Sequence, residues 1–188
     1  MPSPEPSLPL RSDARRNRDK LVAVARAAFA TADGPVALEA VAREAGVGIG
    51  TLYRHFPTRE ALVEAVYAAE LDDVTGNAAA LLAELPPEQA LRAWMDRYAA
   101  FVATKRGMGD VLRASVASGR IATPTTRRRI TAAIGAILDA GAEAGTLRAA
   151  DPEDVTLLLL GVFLSTVDER DPGRTGRMLD LILDALRR

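Results

Sequence analysis

The sequence contains no cysteine and one histidine, His55. The first absence removes disulfides and thiolate chemistry. The two together leave too few ligands for a zinc site. Aromatic side chains make up only 4% of the chain, while Ala and Leu dominate an overall hydrophobic content of 48%. A core of that composition is aliphatic and its elements are helices. No run approaches the roughly 20 apolar residues that span a bilayer. The opening MPSPEPSLPL lacks a basic start and a long apolar run, so no signal peptide is expected, and a cytoplasmic location with no membrane partner is. An excess of either charge is also missing, with 24 Lys and Arg against 25 Asp and Glu. A uniformly basic coat for nucleic acid is thereby excluded, and any phosphate-binding surface has to be local. Catalytic signatures are absent as well. There is no G-x-S-x-G, phosphate loop or metal-ligand spacing. The close carboxylate pairs of the C-terminal part, Asp72–Asp73 and Asp168–Glu169, sit at what read as exposed helix ends, with no histidine near to serve as a base. No catalytic residue, metal or cofactor is expected.

What is present is a compact pattern over residues 38–59, LEAVAREAGVGIGTLYRHFPTR. Val41, Ala42 and Ala45 form the apolar face of a short helix. Gly46 ends it where a left-handed residue is needed. A second short helix, about Ile49 to Phe56, is anchored by Leu52 and Phe56 and broken by Pro57. Helix, glycine-bearing turn, helix is the helix-turn-helix layout, whose second helix fits a DNA major groove. Ile49, Gly50, Thr51, Tyr53, Arg54 and His55 fall mostly off the anchoring side. Thr51 and Tyr53 bring hydroxyls for phosphates, Arg54 a cation, and Gly50 a close backbone approach.

The run AGVGIGTLYRHFPTREALVEAV resembles the recognition segment of the TetR family of bacterial transcriptional repressors, in which AGV-S-x-G-T-x-Y-x-[YH]-F-x-[SN]-K-x-x-L is usual. Ala45, Gly46, Val47, Gly50, Thr51, Tyr53, His55, Phe56, Thr58 and Leu62 match or nearly match it. The motif covers residues 15–70, and the remainder fits in length and helical character. Three positions depart. Gly48 replaces the usual capping Ser and caps almost as well. Arg59 replaces a phosphate-binding Lys and can keep that contact. Ala37 stands near where a capping Thr is usual, which leaves the start of the preceding helix open by a turn.

In chain order, residues 1–10 are expected to be a disordered Pro- and Ser-rich tail. Residues 11–57 form the helix-turn-helix domain and 58–188 a helical effector-binding and dimerisation domain. The whole is an all-α fold of about nine helices. Ser12 or Asp13 caps a first helix running to about Thr31, with Leu21, Val22, Ala25, Ala28 and Phe29 inward. Its basic start, Arg11 to Lys20, offers Arg15 or Arg16 to phosphates. Gly34-Pro35 makes the turn into the motif. Thr58 caps a helix to about Leu85, and Pro87 opens the next. A helix to about 105 breaks at Gly107–Gly109, and a shorter one follows to about 118. Ser118-Gly119 and Pro124 bound a loop. The helix 125–144 starts on Arg127, Arg128 and Arg129, read as a solvated face in preference to a second nucleic-acid patch, and Gly141 and Gly145 suggest a frayed end. Asp151-Pro152-Glu153 is a capped start.

The segment after it, VTLLLLGVFLSTV, is apolar nearly all round, and such a helix is buried on every side. One cover is its own core. A second copy of the chain is the economical other, with Leu158, Gly161, Val162 and Ser165 meeting Met178, Leu179, Ile182, Leu183 and Leu186 of the last helix across a homodimer. Asp168 to Arg174 is the charged turn between the two. The family resemblance implies the same pairing. A dimer with two recognition helices reads a palindromic operator in double-stranded DNA. Tyr53, His55 and Arg59 are expected on phosphates, and Ile49, Gly50, Thr51 and Arg54 at base edges. The alternative for His55 is that it simply caps or packs beside Phe56. The resemblance further implies release from DNA by a small-molecule effector. Candidate lining residues are Trp94, Tyr98, Phe101, Met108, Leu112, Ile134 and Phe163, with Arg97 and Arg113 as polar anchors suited to an anion. The rival class is an all-α adaptor that keeps the motif without reading DNA.

Overall fold

A computed structural model of the chain describes residues 8–32, 36–166, 171 and 173–188. The first seven residues of the expected tail, the Gly34-Pro35 turn and most of the charged turn at 168–174 lie outside them. Eight helices make up the described secondary structure: α1 (Leu8–Thr31), α2 (Leu38–Glu44), α3 (Ile49–His55), α4 (Arg59–Glu84), α5 (Pro87–Ala117), α6 (Thr123–Glu143), α7 (Pro152–Ser165) and α8 (Arg174–Leu186). Among the described residues no helix is long and apolar enough to cross a membrane, and no group of His, Cys, Asp and Glu could hold a metal ion.

Several boundaries follow from single residues. α1 begins at Leu8, upstream of the caps expected at Ser12 or Asp13. Pro9 falls in its first turn, where a missing N–H costs nothing. α2 starts at Leu38 after Ala37, which makes no side-chain cap bond. α4 is capped by Thr58, whose Oγ1 accepts from the Ala61 N–H at 3.2 Å. The expected break in α5 falls at Gly109, with φ 50° and ψ −131°, outside helical space. α6 begins at Thr123, so Pro124 opens the helix and does not bound a loop. α7 starts on Asp151, whose carboxylate accepts from the Glu153 N–H at 2.7 Å.

The end of α6 corrects the expectation of fraying. Gly141 is buried, and a Cβ there would stand 2.4 Å from Leu147. Thr146 and Gly145 donate their N–H groups back to the carbonyls of Gly141 and Ala142, at 3.0 and 3.1 Å. Gly145 takes φ +72° to close this Schellman-type cap. The chain then pairs Leu147 with Arg187 in an isolated antiparallel bridge.

The chain divides into two compact units. One comprises Met1–Ala69 with Thr104–Arg120, which adds the end of α5 to α1–α3 and the start of α4. Its core is Leu21, Ala25 and Phe29 of α1, Val41 and Ala42 of α2, Leu52, Phe56, and Leu62, Val63 and Val66 of α4. The other comprises Glu70–Ala103 with Ile121–Arg188. There Trp94, fully buried, donates its indole N–H to the Val74 carbonyl at 2.9 Å. Ile130, Ile134, Ile137, Leu159 and Leu179 are buried in the same unit.

Candidate nucleic-acid interface

The turn between α2 and α3 is built by two glycines with different tasks. Gly46 adopts φ +69°. Its N–H and that of Val47 donate to the Arg43 and Ala42 carbonyls, at 3.1 and 3.0 Å. Gly48 is the N-cap of α3 in an extended conformation and offers no side chain to cap with. α3 is pinned by Leu52, which is 0% exposed, and by Phe56 just after its end, at 2%. Truncating a side chain so placed costs about 2–5 kcal/mol.

That anchoring fixes what faces outward. Ile49 is 39% exposed and Tyr53 44%. Gly50 and Arg54 are exposed, and Thr51 and His55 half-buried. A Cβ added at Gly48 or Gly50 would meet nothing within 4 Å, so the protein's own packing does not require glycine at either place. Arg54 lies back along its helix. Its Nε donates to the Gly50 carbonyl at 3.3 Å and its Nη2 to Thr51 Oγ1 at 2.8 Å. His55 is tilted against Phe56 with ring centroids 6.4 Å apart.

The other expected cations lie on α1 and at the start of α4. Arg15 is exposed, with its side chain at the 4.0 Å limit of an ion pair with Asp19. Arg16 is paired to Asp13 in the same turn. Arg59 donates to the Val36 carbonyl, an internal partner that sequence spacing did not indicate. A further cation of the basic start of α1 was not singled out. Arg18 places its guanidinium 5.3 Å from the centroid of the Phe56 ring, a cation–π contact. The signal was available: Arg18 continues the stripe Val22, Ala25, Phe29 by one more turn, so it leaves α1 on the side facing the motif. In the same unit, Glu64 accepts from Ser115 Oγ at 2.9 Å and from Arg120 Nε at 2.6 Å. This ties the end of α5 to the first turns of α4.

The residues proposed for an effector fall in both units. Trp94, Tyr98, Phe101 and Phe163 form one buried cluster. Tyr98 lies 5.4 Å from Trp94 and meets Phe163 edge-on at 5.1 Å. Ile134 is buried in the same unit and Arg97 is exposed. Met108, Leu112 and Arg113 belong to the other unit. Met108 is buried, Leu112 half-buried, and Arg113 exposed and paired to Asp110. A hollow of about 600 Å³ lies between α5 and α8, lined by Glu88, Arg92, Asp96, Asp180 and Asp184. A second, of about 660 Å³, lies along α6 beside Pro152, with Arg127 and Arg128 on its rim. The aromatic cluster lines neither of them.

The residues proposed for self-association split by face. Val162, Leu179, Leu183 and Leu186 are buried within the protomer. Leu158 is 58% exposed, Gly161 and Ser165 are exposed, and Met178 and Ile182 are half-buried. Leu157 and Leu164, the latter at 70%, are exposed among them and went unnamed, while Leu181, expected to widen the stripe of the last helix, is 69% exposed. The helix α7, expected to be covered all round, is covered on one side only by its own chain.

Residues 21–66 match the family model described as bacterial regulatory proteins, tetR family. Residues 86–188 match that of the SbtR-like transcriptional regulator C-terminal domain. Among solved structures, the chain is similar to a TetR transcriptional regulator from Streptomyces coelicolor, with 45% identity, a TM-score of 0.80, and 90% of this chain and 98% of that one covered. It is also similar to a TetR regulatory protein from Mycobacterium vanbaalenii, with 34% identity, a TM-score of 0.74, and 95% and 99% covered. No curated protein sequence gives a significant match.

Proposed function

The chain belongs to the TetR family of bacterial transcriptional regulators and is a DNA-binding regulator, and on that premise we propose that it is a homodimeric repressor, working in the cytoplasm, that a small molecule releases from an inverted-repeat operator. The observation that carries this reading is the outward face of α3: exposed Ile49, Gly50, Tyr53 and Arg54 over a core pinned by Leu52 and Phe56. We assign exposed Tyr53 and Arg15 to phosphate contacts, which position without specifying. Arg54 and Ile49 are assigned to base edges, Arg54 to guanine and Ile49 to a thymine methyl.

The exposed stripe of α7, Leu157, Leu158, Gly161, Leu164 and Ser165, recurs at helical spacing. On α8 the stripe Met178, Leu181, Ile182 runs beside the buried one of Leu179, Leu183 and Leu186. Apolar surface of this extent on a soluble chain marks an interface. A two-fold pairing of α7 and α8 covers both stripes at once and presents two copies of α3 to two half-sites. The effector is a ligand of the helical C-terminal part that binds the DNA-incompetent state more tightly than the competent one.

Selection of binding sites from a pool of random duplexes by the purified protein tests the reading. Enrichment of an inverted repeat supports it. Failure to enrich any sequence at low and moderate salt, with no small molecule copurifying, counts against it.

A further inference from the structure

Within α3 one exposed side chain is held by two of its neighbours. Arg54 donates from Nε to the Gly50 carbonyl and from Nη2 to the Thr51 hydroxyl, at 3.3 and 2.8 Å. These residues precede it by one helical turn and share its face. An unanchored arginine loses much rotamer freedom when it binds, and bonds that already hold the stem reduce that loss. The same bonds select an edge of the guanidinium. An arginine can meet guanine O6 and N7 side-on, through Nε and Nη2, or end-on, through Nη1 and Nη2. With the Nε hydrogen on the Gly50 carbonyl and one Nη2 hydrogen on Thr51, the end-on edge is the one left open.

We propose that Thr51 is a positioning residue for specificity: its hydroxyl holds the Arg54 guanidinium for end-on recognition of a single guanine, and Thr51 does not itself read a base. Hydroxyl and carbonyl are both acceptors here, and the cation supplies every hydrogen. Thr51 keeps its own O–H for a phosphate oxygen, so it can contact DNA without adding to the sequence read. The inference rests on the DNA-reading function proposed above.

The test runs the random-duplex selection in parallel on the wild type and on Arg54→Ala, Thr51→Val and Thr51→Ser at one salt concentration. The wild type enriches a half-site with one guanine that Arg54→Ala relaxes. Thr51→Val keeps the methyl and the shape but loses the acceptor. It relaxes discrimination at that same guanine by roughly tenfold, the loss expected when a bidentate pair is disordered, and leaves the other positions unchanged. Thr51→Ser restores the acceptor and with it the preference. A purely structural role for Thr51 would instead lower affinity evenly across sequences, with no rescue by Ser. The inference is overturned if Thr51→Val keeps the guanine preference or relaxes a different base pair. If the wild type enriches no sequence, the DNA-reading function itself fails. A wild-type motif that Thr51→Val leaves intact removes only the role given to Thr51.

Discussion

Arg59 donates from Nη1 to the main-chain carbonyl of Val36, 23 residues earlier in the chain. The first turn of α4 is thereby tied to the segment entering α2, and the charged donor satisfies a carbonyl just before a helix with no side-chain cap. A hydrogen bond from a charged group contributes about 1.5–3 kcal/mol. Arg59→Ala should therefore lower the denaturant midpoint by an amount corresponding to at least about 1 kcal/mol, with the slope of the transition unchanged. A residue serving DNA phosphates alone would leave the midpoint of the free protein where it was.

Gly50 separates stability from binding in the opposite way. Because a Cβ there meets nothing within 4 Å, Gly50→Ala should leave the fold intact or raise its stability by up to about 1 kcal/mol, the difference in helix propensity. The same methyl stands where DNA is proposed to approach, and affinity for the operator should fall. Thermal unfolding and a binding titration on one preparation read both effects.

Leu164 and Leu181, both strongly exposed, give a clean test of self-association. A charge at either position is solvated in the free protomer and buried in the proposed dimer. Leu164→Glu and Leu181→Glu should each keep the helical circular-dichroism spectrum while shifting the mass measured by sedimentation from dimer to monomer. Leu179→Glu, at a buried position, should unfold the protomer instead.

Lys105 provides a pH dependence. It is half-buried, with its ammonium 5.6 Å from the centroid of the Tyr67 ring. Burial lowers its pKa from 10.5 to about 8. Burial penalises the charged form, so between about pH 8 and the unfolded value the unfolded state binds more protons. Stability should consequently rise as pH increases through that window, and the cost of holding the charge should be fully present below it. Lys105→Met should be more stable than the wild type at neutral pH and show a flatter stability profile in the alkaline window, as measured by denaturant midpoints across pH.

The legibility of the sequence varied with the range of the physics involved. Gly46 as a left-handed stop, Asp151 as a cap and the absence of a cap at Ala37 are decided within one helical turn, and the structure shows each of them. Gly141 was misread because its reason lies in Leu147, which folds back over it. A glycine required by packing looks in sequence like one that loosens a helix. Pro124 was read as a loop boundary although the same residue is favoured in a first helical turn. Partners distant in sequence gave no periodic signal: Arg59 with Val36, Glu64 with Ser115 and Arg120, and Leu147 with Arg187. The outward residues of α3 were legible because Leu52 and Phe56, four apart, define its inner side. The hold of Thr51 on Arg54 depends on a rotamer, which spacing permits but does not select.

Two recognition helices, fixed to one dimer, are proposed to read one operator together. Once a site has been selected, the most direct measurement is affinity as a function of the spacing between its half-sites. A rigid dimer predicts a single optimum. Inserting about five base pairs, half a turn of the duplex, should turn one half-site away and reduce binding to that of a lone half-site. Affinity that stays constant across spacings, or that equals the affinity for one half-site throughout, would contradict it.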